Sequence, residues 1–277
     1  MAIPLRPMAL ASAGAKTGAC LRMTTRTIAV IPARMASSRF PGKPLACIHG
    51  RPMIEHVYRG TVRCSLLADV VVATCDAEIA DAAATFGARV VLTGRHHTRA
   101  SERVAEAVVD DSAEVVVMVQ GDEPMVQPAM IEQAAAPLLA DRSISCVNLM
   151  AQIATREELE SPGTIKVVVD SAGRALYFSR SPIPSLAQQP WEKGAWFKQV
   201  CIIAFRRSAL DAFVRLRPSR LEQAESIDML RYLEHGIPVQ MVATDVATHA
   251  VDHVHDLAVI EMLMSAAAAR NGECASE

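Results

Sequence analysis

Six residues suited to gripping an anion fall within ten consecutive positions: Arg34, Ser37, Ser38, Arg39, Gly42 and Lys43, in the loop Pro32–Pro44. Arginine offers phosphate a planar, bidentate grip, and lysine offers a compact charge. Gly42 lets the backbone approach an anion closely, while Pro41 and Pro44 stiffen the segment. Lys43 is suited to the negative charge that builds on a leaving pyrophosphate. The spacing is not the GxxxxGK[ST] of a Walker loop, which disfavours an ATPase of that class. A second chemical element is Gln120-Gly121-Asp122-Glu123-Pro124. Asp122 follows an apolar run directly, where packing does not call for an acid. It is a natural carboxylate for a hard Mg²⁺ ion that bridges phosphates. Asp252, in His249-Ala250-Val251-Asp252-His253, reads from spacing alone as the N-cap of the following helix. His249, His253 and His255 match no zinc spacing and read as surface residues or supporting neighbours. Ser101-Glu102-Arg103, Ser179-Arg180 and Glu222-Gln223 are polar clusters that, taken singly, read as solvated faces or caps. Arg103 lies at a helix start, where it can meet a carboxylate.

These residues must be held by regular elements, and the pattern supplies them. Thr27–Pro32 reads as a buried strand feeding the loop, and Glu114–Val119 as the central strand that delivers Asp122. Val70–Thr74 and Arg89–Leu92 are further strands. Helices are expected at Pro52–Val62, from an Asp76 cap through Phe86 with Gly87 as its stop, at Ser101–Asp110 with Ser101 as cap, and at Pro128–Leu139. The second half mixes strands at Ile144–Met150, Ile165–Val169, Ala175–Phe178, Trp196–Phe205 and Val239–Val242 with helices at Leu221–Leu233 and Val254–Ala267. Pro182–Gly194 reads as an exposed loop. Alternating apolar strands and helices predict an α/β fold, a mostly parallel sheet covered on both faces. Ligands in such sheets bind at the carboxyl ends of the strands.

The bulk properties narrow the partners. In 277 residues, 51% are hydrophobic and the formal net charge is −2, so the core is ample and no basic field serves nucleic acid. No apolar run is long enough for membrane insertion. The seven cysteines are scattered without a CxxC pair, which reads as reduced thiols in a cytoplasmic setting. Residues 1–26, with four basic residues and no acid, read as a disordered or misassigned start, with Met23 as the natural beginning, in preference to a weak transit-type segment; 27–270 read as one domain and 271–277 as a tail.

The residues at 30–45, VIPARMASSRFPGKPL, together with VVVAT (70–74), SERVAE (101–106), VQGDEPMV (119–126), ALYFSRSPIP (175–184) and SRLEQAESIDMLR (219–231), resemble the 3-deoxy-manno-octulosonate (Kdo) cytidylyltransferases. The resemblance extends over nearly the whole chain after residue 26. It implies a Rossmann-like fold with a smaller antiparallel dimerisation portion, a homodimer, and a reaction that joins CMP from CTP to a small acidic acceptor. It further implies that Arg34, Lys43 and Asp122 are catalytic. Pro32, Ala33, Ser38, Thr74 and Gln120 would join them in binding the nucleotide, and Asp122 and Asp252 would hold Mg²⁺. Arg39, Arg103, Gln199, Glu222 and Gln223 would face the acceptor. Departures from the family pattern fall on the acceptor side. Gln199 and Ile203 stand for a histidine and a tyrosine, Cys75 for an aspartate, and His253 for a threonine. Two acceptor classes therefore stay open, a 2-keto-3-deoxy sugar acid such as Kdo and a small phosphonate. A non-catalytic nucleotide-binding protein is the alternative of another class, and the retained Lys43, Asp122 and Asp252 speak against it.

Overall fold

The computed structural model describes residues 25–273 except 38, 188–190 and 192–193. The expected N-terminal extension up to residue 24, the last four residues of the expected tail, and Ser38 lie outside the described residues. The chain begins with β1 (Thr27–Ala33), a 3₁₀ turn (Lys43–Leu45), the short pair β2 (Cys47–Ile48) and β3 (Arg51–Pro52), and α1 (Met53–Val62). It continues with β4 (Asp69–Thr74), α2 (Ala77–Thr85), β5 (Arg89–Leu92), α3 (Ala100–Ala107), β6 (Val115–Val119) and α4 (Pro128–Ala140). Next come β7 (Cys146–Gln152), α5 (Arg156–Glu160), β8 (Lys166–Val169), β9 (Ala175–Ser179) and β10 (Phe197–Arg206). The last elements are α6 (Arg207–Arg215), α7 (Arg220–Glu225), α8 (Met229–Glu234), β11 (Gln240–Ala243) and α9 (Asp256–Glu273).

Seven strands run in the order β11-β7-β10-β6-β1-β4-β5, with β8 joined to β10 and β9 joined to β8. Of the seven, β10 alone is antiparallel to its neighbours; β8 and β9 form an antiparallel arm. This is the expected mostly parallel α/β sheet with a small antiparallel portion. Strand alternation divides the core. Ile28, Val30, Val116, Met118, Ile203 and Phe205 face α3, α6 and α8. Ala29, Ile31, Val117, Val119, Ile202 and Ala204 face α1, α2 and α4. Both faces are covered, so the strand ends, not the faces, are left for ligands.

Local differences from expectation have identifiable causes. Asp76 sits at the N-cap of α2 without capping it; its carboxylate accepts the backbone N–H of Met35 at 2.7 Å instead. Ser101 is not a cap but lies inside α3, where its N–H and hydroxyl donate to Asp228 at 3.1 and 2.9 Å. The helix expected over Leu221–Leu233 is broken: Ser226 adopts a left-handed φ of 56° and the chain restarts as α8. The sequence reading left α6 unassigned, although Ala209, Leu210 and Phe213 give it a buried stripe.

Candidate active site

Because β1 and β6 are adjacent and parallel, their carboxyl ends place the loop beginning at Arg34 beside Gln120–Asp122. The loop is folded on itself. The N–H groups of Ser37 and Gly42 both donate to the Met35 carbonyl, and Gly42 turns the chain with φ of 72°. Lys43 then opens the 3₁₀ turn with its side chain directed back at the strand ends. Its ammonium donates to Asp122 Oδ2 at 2.6 Å and to the Val251 carbonyl at 2.8 Å, and lies 3.9 Å from Asp252 Oδ1.

The segment carrying Asp252 is fastened to the same place. Val251 N–H donates to the Asp122 carbonyl at 3.0 Å. The Asp256 carboxylate accepts the N–H groups of Asp252 and His253, both at 2.7 Å. Asp252 is therefore presented by a turn that Asp256 shapes, and it is not itself the cap of α9. Arg39 closes the group by donating to Asp252 Oδ1 at 2.8 Å. Two acids distant in sequence thus converge around one lysine. Both are oxygen donors of the kind a hard divalent cation takes, alongside phosphate oxygens. Among the described residues no third His, Cys, Asp or Glu completes a cage, so the donor set fits an ion that the substrate's phosphates help to hold.

Glu123 differs from its neighbour Asp122. It is buried, accepting the Thr248 hydroxyl at 2.7 Å and the Cys201 N–H at 3.3 Å. Burial, with Asp122 adding repulsion, pushes its carboxyl up to about 7. It braces the strand ends and does not reach the cleft.

A cleft of about 660 Å³ opens above these groups, bounded on one side by Arg34, Ser37, Arg39 and Lys43 and on the other by Ser161–Gly163, Arg180, Ser226 and His253. A smaller cavity of about 130 Å³ adjoins it, lined by His97, Arg99 and Arg103 from the α3 side. The two share Pro32, Ala33, Arg34 and Gln120. Arg34 is exposed and has no side-chain partner among the described residues, which leaves its guanidinium available to an anion.

The expected site residues are thus divided. Pro32, Ala33, Arg34, Arg39, Lys43, Gln120 and Asp122 line the large cleft, and Asp252 is tied to Lys43 and Arg39 at its floor. Other expected positions are placed elsewhere. Thr74 is fully buried, its hydroxyl accepting the Asp76 N–H. Arg103 lines the smaller cavity, donating to Thr93 and Gly94. Gln199 donates to Asn148 at 2.6 Å, and it lines neither cavity. Glu222 is wholly buried, bound to Arg99 and Arg231 at 3.0 and 2.6 Å, and Gln223 is exposed on α7 outside both cavities. Arg180, which taken singly reads as a solvated face, and Ser226, which carries no expected role, also line the cleft, as do His253 and the turn Ser161–Gly163, two of the departures from the family pattern on the acceptor side. The usable signal was the Ser-Pro-Gly turn. Gly163 leaves room where a Cβ would stand 2.9 Å from Asp252 Oδ2.

A cation-rich loop, two acids and an adjoining pocket at parallel strand ends suit nucleotide chemistry, and comparison with known proteins decides the family. The cytidylyltransferase family profile matches residues 28–243. The chain belongs to the cytidylyltransferase family. A relative from Geobacter metallireducens, described as 3-deoxy-manno-octulosonate cytidylyltransferase, is 43% identical over 85% of this chain and 96% of its own length. One of the same description from Nitratidesulfovibrio vulgaris is 46% identical over 85% of this chain and 94% of its own. Among solved structures, a CMP:2-keto-3-deoxy-manno-octonic acid synthetase complexed with CTP superposes with a TM-score of 0.79 at 37% identity, covering 87% of this chain and 98% of that one. A 4-diphosphocytidyl-2C-methyl-D-erythritol synthase from Anaerococcus prevotii, at 13% identity and a TM-score of 0.59, shares the fold. The cytidylyltransferase is thus a nucleotidyltransferase built on a Rossmann-like sheet.

Proposed function

We propose that this cytidylyltransferase transfers CMP from CTP to 3-deoxy-manno-octulosonate and releases pyrophosphate with Mg²⁺ as cofactor. The observation that carries it is the convergence of Lys43, Asp122 and Asp252 beneath a cleft whose loop is rich in cations. Relatives and a CTP-bound neighbour named for that acid support the choice of substrates.

The acceptor oxygen attacks the α-phosphorus in line with departing pyrophosphate. Asp122 and Asp252 would hold the cation, which supplies charge neutralisation across the phosphates when bound. Arg34 and Lys43 stabilise negative charge on the leaving group, Lys43 from a position held by Asp122 and the Val251 carbonyl and Arg34 with a guanidinium open to the anion. The chain contributes chiefly positioning and electrostatics. Arg39 and Arg180 line the cleft and suit the acceptor's carboxylate.

The free thiols of Cys47, Cys64, Cys75, Cys146 and Cys201 suit a reducing cytoplasm. Among the described residues no helix is long and apolar enough to cross a membrane. The β8–β9 arm, with Leu176 exposed on it, suits a homodimer contact.

The deciding experiment is pyrophosphate release from CTP with Mg²⁺ against a panel of acids that includes Kdo and small phosphonates. Turnover should be restricted to the Kdo class, vanish with EDTA and vanish in Asp122→Asn. Rapid turnover of a phosphonate without Kdo turnover would reassign the acceptor, and wild-type rates in Asp122→Asn would remove the metal assignment.

A further inference from the structure

Lys166 is the one fully enclosed lysine among the described residues, and the chemistry outlined so far does not use it. It lies on β8, and no carboxylate among the described residues stands within ion-pair distance of its ammonium. The three N–H groups of the ammonium go instead to backbone carbonyls, of Ser161 at 2.8 Å, Thr164 at 2.7 Å and Arg180. An ammonium has three donors and no acceptor, so this set satisfies it completely.

Those carbonyls belong to two separate segments, and both form the cleft wall that faces the phosphate loop. Arg180 extends the knot outward, donating to the carbonyls of Pro162 at 2.8 Å, Glu225 at 2.6 Å and Ser226 at 3.3 Å. Three carbonyl dipoles pointed at one spot repel each other unless a cation sits between them. An apolar side chain there would leave them buried and unpaired. On its other side the wall meets Asp252 and Arg39, since a Cβ on Gly163 would stand 2.9 Å from Asp252 Oδ2 and 3.5 Å from Arg39 Nη1.

We propose that Lys166 is a positioning residue that sets the shape of the acceptor wall and so governs acceptor affinity separately from CTP affinity. This rests on the reading above that Arg39 and Arg180, on opposite sides of the cleft, suit the acceptor's carboxylate. The groups facing Lys166 are Arg180 and Glu225, together with Lys198, which is opposite it on β10 and pairs with Glu158. Burial first, then Arg180, draws the ammonium down to about 8, so the knot loosens in mild alkali.

The test measures KM for CTP and for Kdo separately in wild type, Lys166→Met and Lys166→Arg between about pH 6.5 and pH 9.5, with amide exchange at Gly163 and Thr164. Lys166→Met should raise the Kdo KM at least about tenfold, leave the CTP KM within about twofold, and speed exchange in the 161–164 turn. In wild type the Kdo KM should climb above about pH 8, while Lys166→Arg, charged throughout, restores affinity and flattens the profile. Equal rises in both KM values, or a Kdo KM indifferent to the substitution and to pH, would overturn the proposal. If Lys166→Met does not fold, the wild-type profile and Lys166→Arg decide alone. If wild type does not use Kdo, the acceptor reading fails by itself, and exchange, which needs no acceptor, still decides. Faster exchange at Gly163 and Thr164 upholds the role of Lys166, and unchanged exchange in a folded variant removes it.

Discussion

Lys43 is the side chain on which the others converge. It touches Asp122, the carbonyl beside Asp252 and, more distantly, Asp252 itself, so it neutralises both acids before any substrate arrives. On the proposed reading, Asp122 and Asp252 would hold the metal and the Lys43 ammonium would meet a phosphate oxygen. Lys43→Met should therefore lower kcat by about 10²- to 10³-fold, the scale of losing one preorganised stabilising group. Pyrophosphate release under saturating substrates measures it, and a loss smaller than about tenfold would assign the leaving-group role elsewhere. Lys43 and Asp122 were legible as candidates from the residues themselves, Lys43 because it clusters with other anion-binding residues and Asp122 because a charged side chain just past a buried strand has no packing reason to be there. Asp252 was different. Its local sequence reads as a helix cap, but α9 begins four positions on at Asp256, whose carboxylate holds the Asp252 and His253 N–H groups while the Asp252 carboxylate goes to Arg39.

At the scale of elements, the loop after β1 owes its shape to β4 and α2 as much as to its own glycine and prolines. Asp76, at the end of β4, reaches across to the backbone of Met35 and leaves the first turn of α2 uncapped. Removing that carboxylate leaves a part-buried N–H without its acceptor, at a cost of about 1–3 kcal/mol. Asp76→Ala should appear mainly as a rise of about tenfold in the CTP KM, 1.4 kcal/mol being a factor of ten. A fall in melting temperature with no change in CTP KM would show that Asp76 serves α2 alone. The sequence pattern placed Asp76 correctly at a helix start but could not distinguish a cap from a cross-link, since both need an acid in an extended conformation. Similarly, the continuous apolar pattern over Leu221–Leu233 suggested one helix. The break at Ser226 is set by contacts from outside the segment, Arg99 bonding its hydroxyl and Arg180 its carbonyl.

Across the whole molecule, α3, α7 and α8 are joined by a buried charge network. Arg231 holds Glu222 at 2.6 Å and Glu102 at 3.0 Å, and Arg99 holds Glu222 from the cavity side at 3.0 Å. Glu222 is completely enclosed. Glu222→Ala would remove the carboxylate that Arg231 and Arg99 share, leaving Arg231 with Glu102 and Arg99 with the Ser226 hydroxyl, and should destabilise the fold by about 3 kcal/mol in urea unfolding, with KM values nearly unchanged in the surviving folded protein. A raised Kdo KM without lost stability would instead return Glu222 to the acceptor. The amino-acid sequence alone determined the layered α/β sheet, the cation-rich loop after β1 and the acid at the end of β6. These are written in local periodicity and in polar residues at strand ends, where neighbours matter little. Only the tertiary structure decided which distant polar residues meet. Glu222 and Thr74 are satisfied inside the core, while Arg180, His253 and the Ser161–Gly163 turn come to the cleft. The physical reason is that a polar side chain's role depends on which partner desolvates with it, and those partners are brought together by strand order, which no local pattern encodes.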